Sequence, residues 1–202
     1  MKSAVKSGSI PGTILSRERM NNVSGAEFLE KVFYVTDGIM LSQIREITGI
    51  DGTTLQNWVK RGWVANPTKK AYTKDQLARI LLINMMRDTI QLSQIIDLFE
   101  YINGTDEDAR VFSQPELYDC VCKVLDAVSD GASGGLSGID EIILDLLRAY
   151  DDIETGAKVR VLNGIRVIVV TYYATTMKAT AEYMLSTILD AHRSSDGNNT
   201  AE

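Results

Sequence analysis

The stretch TTLQNWVKRGWVANPTKKAYT, residues 53–73, decides the predicted fold. Leu55, Trp58 and Val59 recur at the spacing of one helix face, while Thr, Gln, Asn, Lys and Arg occupy the other face. Gly62 is typical of the position that ends such a helix. The pattern therefore predicts a short helix with one buried face and one polar, basic face.

Another helix is predicted just before it, in LSQIREITGI, residues 41–50. Its apolar residues share one face, Ser42 is a candidate N-cap, and Gly49 favours a left-handed stop. After the two helices, Pro67 favours an extended or turned backbone, and residues 65–72 are predicted to form a small β-ribbon. Two helices joined by a glycine-containing turn and followed by a ribbon, the wing, are typical of a winged helix-turn-helix unit.

The rest of the chain is predicted to be mainly α, with a C-terminal helical bundle and a long terminal helix. Residues 1–23 lack sustained periodicity and are expected to form a mobile arm. Ser24 and Glu27 form a capping-box pattern that begins a short helix, which ends before Gly38, and Thr73 is a candidate N-cap. Further helices are predicted at 74–92, 94–103, 114–129, 139–153 and 158–192.

These patterns divide the chain into four parts. We predict an N-terminal arm with a short helix at 1–38, the winged helix-turn-helix domain at 39–104, a helical dimerisation or effector domain at 105–193, and a disordered tail at 194–202. One face of the last helix is predicted to pack on a partner subunit, and consists of Val161, Ile165, Ile168, Tyr172, Thr175 and Ala179.

Charge is distributed unevenly along this chain, whose net charge is -6. Between residues 41 and 79 there are seven cations and three anions, whereas between residues 97 and 156 there are three cations and fifteen anions. A basic surface on an acidic protein can still approach phosphate groups if the acidic part is held away from them. The distribution is therefore compatible with nucleic-acid binding and does not require it.

Little in the sequence indicates enzymatic chemistry, a cofactor or a metal. The single histidine, His192, cannot complete a nucleophilic triad or one of the usual zinc sites, and Cys120 and Cys122 are predicted to be buried packing residues. The glycine-rich residues 131–138 lack the lysine of a phosphate-binding loop and are predicted to form a flexible linker. No signal-like segment opens the chain and the longest apolar block, residues 167–175, is too short to span a bilayer, so we expect a cytoplasmic protein without a membrane segment.

The segment LSQIREITGIDGTTLQNWVKRGWVANPTKKAYTKDQLARI, within residues 39–104, closely resembles the DNA-binding domain of MerR-type regulators, which are winged helix-turn-helix proteins. Within that superfamily it looks most like an uncharacterised group of Gram-positive bacterial proteins known only as a domain of unknown function. Gly49 and Ile50 match the helix-turn junction of the family. Gln56 stands where the family has a phosphate-binding arginine, and Lys70 stands where it has the arginine of the wing.

The resemblance implies a DNA-binding surface made by the second helix and the wing. Gln56 and Asn57 are candidate base readers, because amide side chains can bond adenine through two hydrogen bonds. Thr53 and Thr54 begin the helix, where a phosphate is favoured, and Tyr72 is expected to brace the wing and offer its hydroxyl to the DNA backbone. The predicted set is completed by Ser42, Gln43, Lys60, Arg61, Lys69 and Lys70.

The leading functional prediction is a transcription regulator that binds a near-palindromic operator in double-stranded DNA as a homodimer and represses by occupancy. A small-molecule effector is compatible with this role, although no sequence feature identifies one. The alternative is an adaptor without DNA binding, in which the winged unit is a scaffold and the acidic helical half binds a protein. The chain is not predicted to be an enzyme.

Overall fold

The computed structural model describes residues 8–104, 111–130, 136–149 and 156–198. Within these ranges the chain is mainly helical and has one small two-stranded sheet. Most of the predicted glycine-rich linker and the last four residues lie outside the described residues. The elements, in chain order, are α1 (Gly25–Phe33), β1 (Ile39–Met40), α2 (Leu41–Thr48), α3 (Gly52–Lys60), β2 (Ala71–Tyr72), α4 (Lys74–Met86), α5 (Leu92–Asn103), α6 (Gln114–Ser129), α7 (Ile139–Leu146) and α8 (Ala157–Asn198).

Capping side chains start the helices where the sequence predicts them. The hydroxyl of Ser24 accepts a hydrogen bond from the amide of Glu27 at 3.2 Å, and that of Thr73 accepts one from the amide of Gln76 at 3.3 Å. Gly49 ends α2 in the left-handed conformation, with φ of 71°. Local side-chain chemistry thus determines these helix ends.

Helix ends without such signals differ from the prediction. The predicted helix at 74–92 ends early, at Met86, and the next predicted helix, at 94–103, begins two residues earlier than expected, at Leu92. The predicted helix at 139–153 ends at Leu146, where a single 3₁₀ turn follows. In contrast, α8 continues to Asn198, so the expected disorder is wrong for the first five residues of the predicted tail.

The N-terminal segment that precedes α1 is packed against the body, so the expectation of a mobile arm is wrong for residues 8–23. The hydroxyl of Tyr118 in α6 donates a hydrogen bond to the carbonyl of Pro11 at 2.8 Å. The guanidinium of Arg17 forms an ion pair with Asp126, also in α6. These contacts join residues about a hundred positions apart, and periodicity within the segment gives no sign of them.

The core centres on α4, which packs against α6 and α8. Ile10 of the N-terminal segment belongs to this core and is 1% exposed. Val161, Ile165 and Ile168 of α8 are completely buried in the same core. The face of α8 that was predicted to pack on a partner subunit therefore packs on its own chain, a correction that follows from the close contact of α8 with α4 and α5.

Beyond the body, α8 extends as an exposed helix: every residue from 180 to 193 is exposed to solvent. Several of its exposed side chains are large and apolar, including Met177 at 65% and Ile188 at 63%. Within the described ranges, none of the helices combines the length and the apolarity that a membrane crossing requires. The residues that the structure describes leave the apolar side chains on the projecting half of α8 uncovered.

Candidate nucleic-acid interface

Helix α3 presents a polar face to solvent. Thr53, Gln56, Asn57 and Lys60 are exposed, whereas Trp58 on the opposite side is 2% exposed. This division follows from the spacing of the apolar residues, because positions three and four apart share one side of a helix. Four of the residues predicted to contact DNA therefore lie together on one open helix face.

Asp51 caps the start of α3. Its carboxylate accepts hydrogen bonds from the amide of Thr54 at 2.8 Å and from the hydroxyl of Thr54 at 2.6 Å. These two hydrogen bonds from Thr54 lower the pKa of Asp51 below its ordinary value of 3.8. The position predicted for a phosphate at Thr54 is thus taken by a carboxylate of the protein itself, which corrects that part of the prediction.

The segment that follows α3 is held to the body by hydrogen bonds from side chains of α4 to its backbone carbonyls. The side-chain amide of Gln76, in the first turn of α4, donates to the carbonyls of Ala65 at 2.8 Å and Asn66 at 3.1 Å. The guanidinium of Arg79 donates to the carbonyl of Trp63, and its carbon Cζ lies 4.8 Å from the centre of the Phe99 ring. These contacts set the path of the chain between α3 and the sheet.

A tight turn at Lys69 and Lys70 forms the tip of the predicted wing. Thr68 and Ala71 exchange two backbone hydrogen bonds, of 3.1 and 2.9 Å, on either side of it. Lys69 has φ of 51° and Lys70 has φ of 66°, so two consecutive residues with side chains adopt the left-handed conformation. Two-residue turns of this kind favour Asn and Gly. Both lysines are exposed, and the backbone is strained at the point where they project.

The strand that ends this turn pairs with a different partner from the one predicted. Antiparallel pairing joins Ile39 to Tyr72 and Met40 to Ala71, so β2 pairs with the strand that precedes α2. The segment 65–72 forms only the turn and a single bridge of its own, rather than a complete ribbon. In place of the expected ribbon, the structure has a two-stranded sheet in which one strand precedes α2 and the other follows α3.

Tyr72 lies inside the fold. It is 4% exposed, and burial raises the pKa of its hydroxyl. This position agrees with the expected bracing role. Because so little of the side chain reaches the surface, we leave Tyr72 out of the candidate surface, and its predicted contact with a DNA backbone has no structural support.

The two predicted residues of α2 are exposed at its start. Ser42 is not the N-cap; Met40 holds that position, and the side chain of Gln43 accepts a hydrogen bond from the Met40 amide at 2.8 Å. Gln43 thus stabilises the helix start from within the first turn. Both side chains nevertheless lie on the surface.

Not all the cations counted in the sequence remain available to a ligand. Lys74 pairs with Glu30 at 2.6 Å, and the guanidinium of Arg61 lies over the ring of Trp63, with Cζ at 4.9 Å from the ring centre. Arg61 remains exposed in this position. We call the following set the candidate surface: Ser42, Gln43, Thr53, Gln56, Asn57, Lys60, Arg61, Lys69 and Lys70.

The described part of the acidic half packs elsewhere. Helix α6 contacts α1, α4, α7 and α8, and α7 contacts α6 and α8. The outer face of α3 remains exposed. Two carboxylates, Glu46 and Asp51, do lie beside the candidate surface, where they line a shallow depression between α2 and α3.

Sequence patterns missed two residues that hold this region together. Asp51 precedes a helix start and could have been recognised as an N-cap residue. Gln76 completes a capping box with Thr73, a pattern that is visible in the sequence. Its hydrogen bonds to Ala65 and Asn66 depend on the tertiary structure and have no sequence signal. No sequence signal indicated a left-handed Lys69–Lys70 turn.

Comparison with known families finds a match to part of the chain. Residues 27–121 match the model of a family described as a domain of unknown function, DUF1836. The stretch runs from α1 into α6, and so is longer at both ends than the resemblance found in the sequence. This match agrees with the expected likeness to an uncharacterised group. No curated protein and no solved structure matches the chain.

Proposed function

We propose that this protein is a DNA-binding transcription regulator whose residues 39–104 act as a MerR-like winged helix-turn-helix domain. One observation carries the proposal: α3 is anchored by Trp58 and Leu55 while Gln56, Asn57 and Lys60 remain exposed on its outer face. An α-helix fits the major groove of B-DNA, and amide side chains there can distinguish adenine. Gln56 and Asn57 are assigned to base contacts.

The cations are assigned to the phosphate backbone. Lys60 and Arg61 end α3, and Lys69 and Lys70 occupy the strained turn that precedes β2. Strain of this kind is retained where surrounding structure enforces it and is concentrated at functional sites. Since Asp51 blocks the amide of Thr54, phosphate contacts near the start of α3 are assigned to Thr53 and to the surface of α2.

Dimerisation is assigned to the exposed side of α8. Val170, Met177 and Met184 follow one another at seven-residue intervals, and Ala181 and Ile188 stand four residues after the last two of them. Alternating steps of three and four residues are the spacing of a coiled-coil seam. A second copy of α8 would cover this stripe, and a dimer of this kind would read the two halves of a near-palindromic site. We favour repression by occupancy.

A mobility-shift series with genomic fragments tests the proposal. We expect a sequence-preferring shift whose affinity falls steeply with salt. Gln56→Ala and Asn57→Ala should relax the sequence preference, whereas Lys60→Ala and Lys69→Ala should weaken binding to all fragments and each reduce the salt slope by about 1.

Lys31→Ala is the matched control, because Lys31 is an exposed lysine on α1 outside the candidate surface. It should leave both affinity and salt slope unchanged. A protein that gives no shift at low salt, or a shift that is indifferent to Gln56, Asn57 and Lys60, is not the regulator proposed here.

The alternative function is that of an adaptor that binds a protein. The uncovered apolar side chains of α8 favour it, because such a stripe can also receive an amphipathic helix of another protein. In that case replacing Met184 and Ile188 abolishes partner binding, while replacing Lys60 and Arg61 by Ala has no effect on it.

A further inference from the structure

A groove of about 1170 Å³ lies where α8 leaves the body of the protein. Three parts of the chain form its walls: the N-terminal segment from Gly8 to Met20, the end of α4, and the body-facing side of α8 from Tyr172 to Glu182. The end of α2, at Thr48 and Gly49, completes it. This is the side of α8 opposite the exposed apolar stripe, so the groove and the proposed dimer contact use different faces of the helix.

The groove exists because the N-terminal segment is fixed in place. The side-chain amide of Asn84 donates to the carbonyl of Gly12 at 2.9 Å and to that of Thr48 at 3.2 Å, which ties the segment to α2 and α4. The amide of Ile14 donates to the carbonyl of Ile47 at 2.9 Å. The wall is therefore held by hydrogen bonds between elements that are distant in sequence.

The lining of the groove combines apolar surface with charge. Leu15, Met20, Met85, Tyr172 and Ala179 supply apolar area. The charged groups that line it are Arg17, Glu18, Arg19, Arg87, Asp88, Lys178 and Glu182. Arg17 is already paired with Asp126, and the ammonium of Lys178 donates to the backbone carbonyl of Asp88 at 3.1 Å.

Arg87 is the lining residue whose bonding is incomplete. Its Nε is buried, and it has no hydrogen-bond acceptor among the residues that the structure describes. Its guanidinium carbon lies 5.9 Å from the centre of the Trp58 ring, so the group is held between the groove and the inner side of α3. The guanidinium lines the groove, and an oxyanion can accept two parallel hydrogen bonds from a guanidinium.

We propose that this groove binds a small molecule with an apolar body and a single acidic head group, a carboxylate or a phosphate monoester, whose oxygens bind Arg87. The apolar body lies on Leu15, Met85 and Tyr172. The carboxylates of Glu18, Asp88 and Glu182 oppose a second acidic group on the ligand, so the site selects a single acidic head group on an apolar chain. Binding does not depend on DNA, and the site is therefore separable from the proposed function.

Tryptophan fluorescence and calorimetry together test this site. The sequence contains two tryptophans, so Trp63→Phe leaves Trp58, beside Arg87, as the only reporter. The probes are octanoate, octyl phosphate, octanol and octylamine, all kept below their micellar concentrations. We expect saturable binding of octanoate or octyl phosphate with a change in Trp58 emission, and no such binding of octanol or octylamine.

Two variants and one control identify the site. Arg87→Gln should weaken binding of the anion about ten- to a hundredfold, because a charge-assisted pair is lost. Ala179→Phe should abolish anion binding, because the larger side chain fills the groove while Arg87 is left unchanged. Arg148→Gln, which replaces a highly exposed arginine in the 3₁₀ turn after α7, should leave binding unchanged.

The outcomes are decisive in both directions. Circular dichroism melts establish that each variant is folded, and Ala179→Phe alone decides between the outcomes if Arg87→Gln does not fold. Carboxylate-only or phosphate-only binding identifies the source of the oxyanion and supports the site. No saturable binding of either anion, equal binding of octanol, or binding that survives both variants overturns it.

Discussion

The carboxylate of Asp51 accepts hydrogen bonds from both the amide and the hydroxyl of Thr54, at 2.8 and 2.6 Å, and so fixes the start of α3. The same contact places a negative charge beside the candidate surface. Asp51 is therefore expected to stabilise the fold and to weaken DNA binding. Substitutions at this position can separate the two effects.

Asp51→Ala should lower the midpoint of thermal unfolding. Asp51→Asn should lower it much less, because Asn is also a favourable N-cap. Under the proposed function Asp51→Asn should also strengthen DNA binding, since one anion near the phosphates is removed. Melting curves and mobility shifts on the two variants measure these effects. Weaker DNA binding by a fully folded Asp51→Asn protein would contradict the assignment of this surface.

The contribution of Asp51 should depend on pH in a defined direction. Because the hydrogen bonds from Thr54 lower its pKa in the folded state, the charged cap stabilises the protein fully above the ordinary value of 3.8 and is lost as the pH falls through the lower, folded value. Urea unfolding at neutral pH and near pH 3 should show the difference between wild type and Asp51→Asn shrinking in acid. A difference that is constant with pH would contradict it.

The left-handed backbone at Lys69 and Lys70 should lower the stability of the fold while it presents two positive charges at the surface. The pair Lys69→Asn and Lys70→Gly suits this turn and should raise the free energy of unfolding by about 1 kcal/mol in total. The matched pair Lys69→Ala and Lys70→Ala removes the same charges without relieving the backbone and should not stabilise. Both pairs should weaken DNA binding alike, as measured by denaturation and mobility shift; a gain in stability from the alanine pair would refute the strain argument.

Gly164 of α8 allows α5 and α8 to approach closely. A Cβ at this position would lie 2.2 Å from Cγ1 of Ile102, so Gly164→Ala should destabilise the fold by about 1–3 kcal/mol. Combining it with Ile102→Ala removes the clashing atoms, and the double variant should lose less than the sum of the two single losses. If the two losses of unfolding free energy measured in urea are strictly additive, the clash with Ile102 is not the cause of the destabilisation by Gly164→Ala.

The exposed stripe of α8 should mediate self-association. Met184→Glu with Ile188→Glu should convert the protein to a monomer in light scattering. The variant should still fold, as seen in circular dichroism, because both side chains are exposed and do not belong to the core. Tyr183→Glu is the control, since Tyr183 is equally exposed but lies on another side of the helix. A wild-type protein that is monomeric at high concentration would exclude the dimer assigned to this stripe.

Much of the secondary structure was predictable because its causes are local. The range 114–129 predicted for α6 is the range observed, since Ser113 and Pro115 mark its start and apolar residues recur at helical spacing. The buried side of α3 was predictable for the same reason. The candidate surface, being the complement of that buried side, followed from the sequence except where Asp51 and Tyr72 altered it.

Contacts between distant residues could not be read in this way. Nothing within residues 8–23 predicts that Pro11 binds Tyr118, because the cause lies in α6. The partner of β2 was misassigned because a two-residue strand has too little pattern to specify its neighbour. The incomplete bonding of Arg87 is equally a property of its neighbours and not of its place in the sequence.

The amino-acid sequence by itself determined the positions of the helices, the caps at Ser24 and Thr73 and the polar side of α3, because each depends on residues within one or two turns of one another. Only the tertiary structure decided which of the two apolar sides of α8 enters the core, since that choice depends on the shape of α4 and α5. It also decided that Lys69 and Lys70 adopt a left-handed turn, because the pairing of β1 with β2 fixes Ala71 and Tyr72 and the bridge between Thr68 and Ala71 closes the turn.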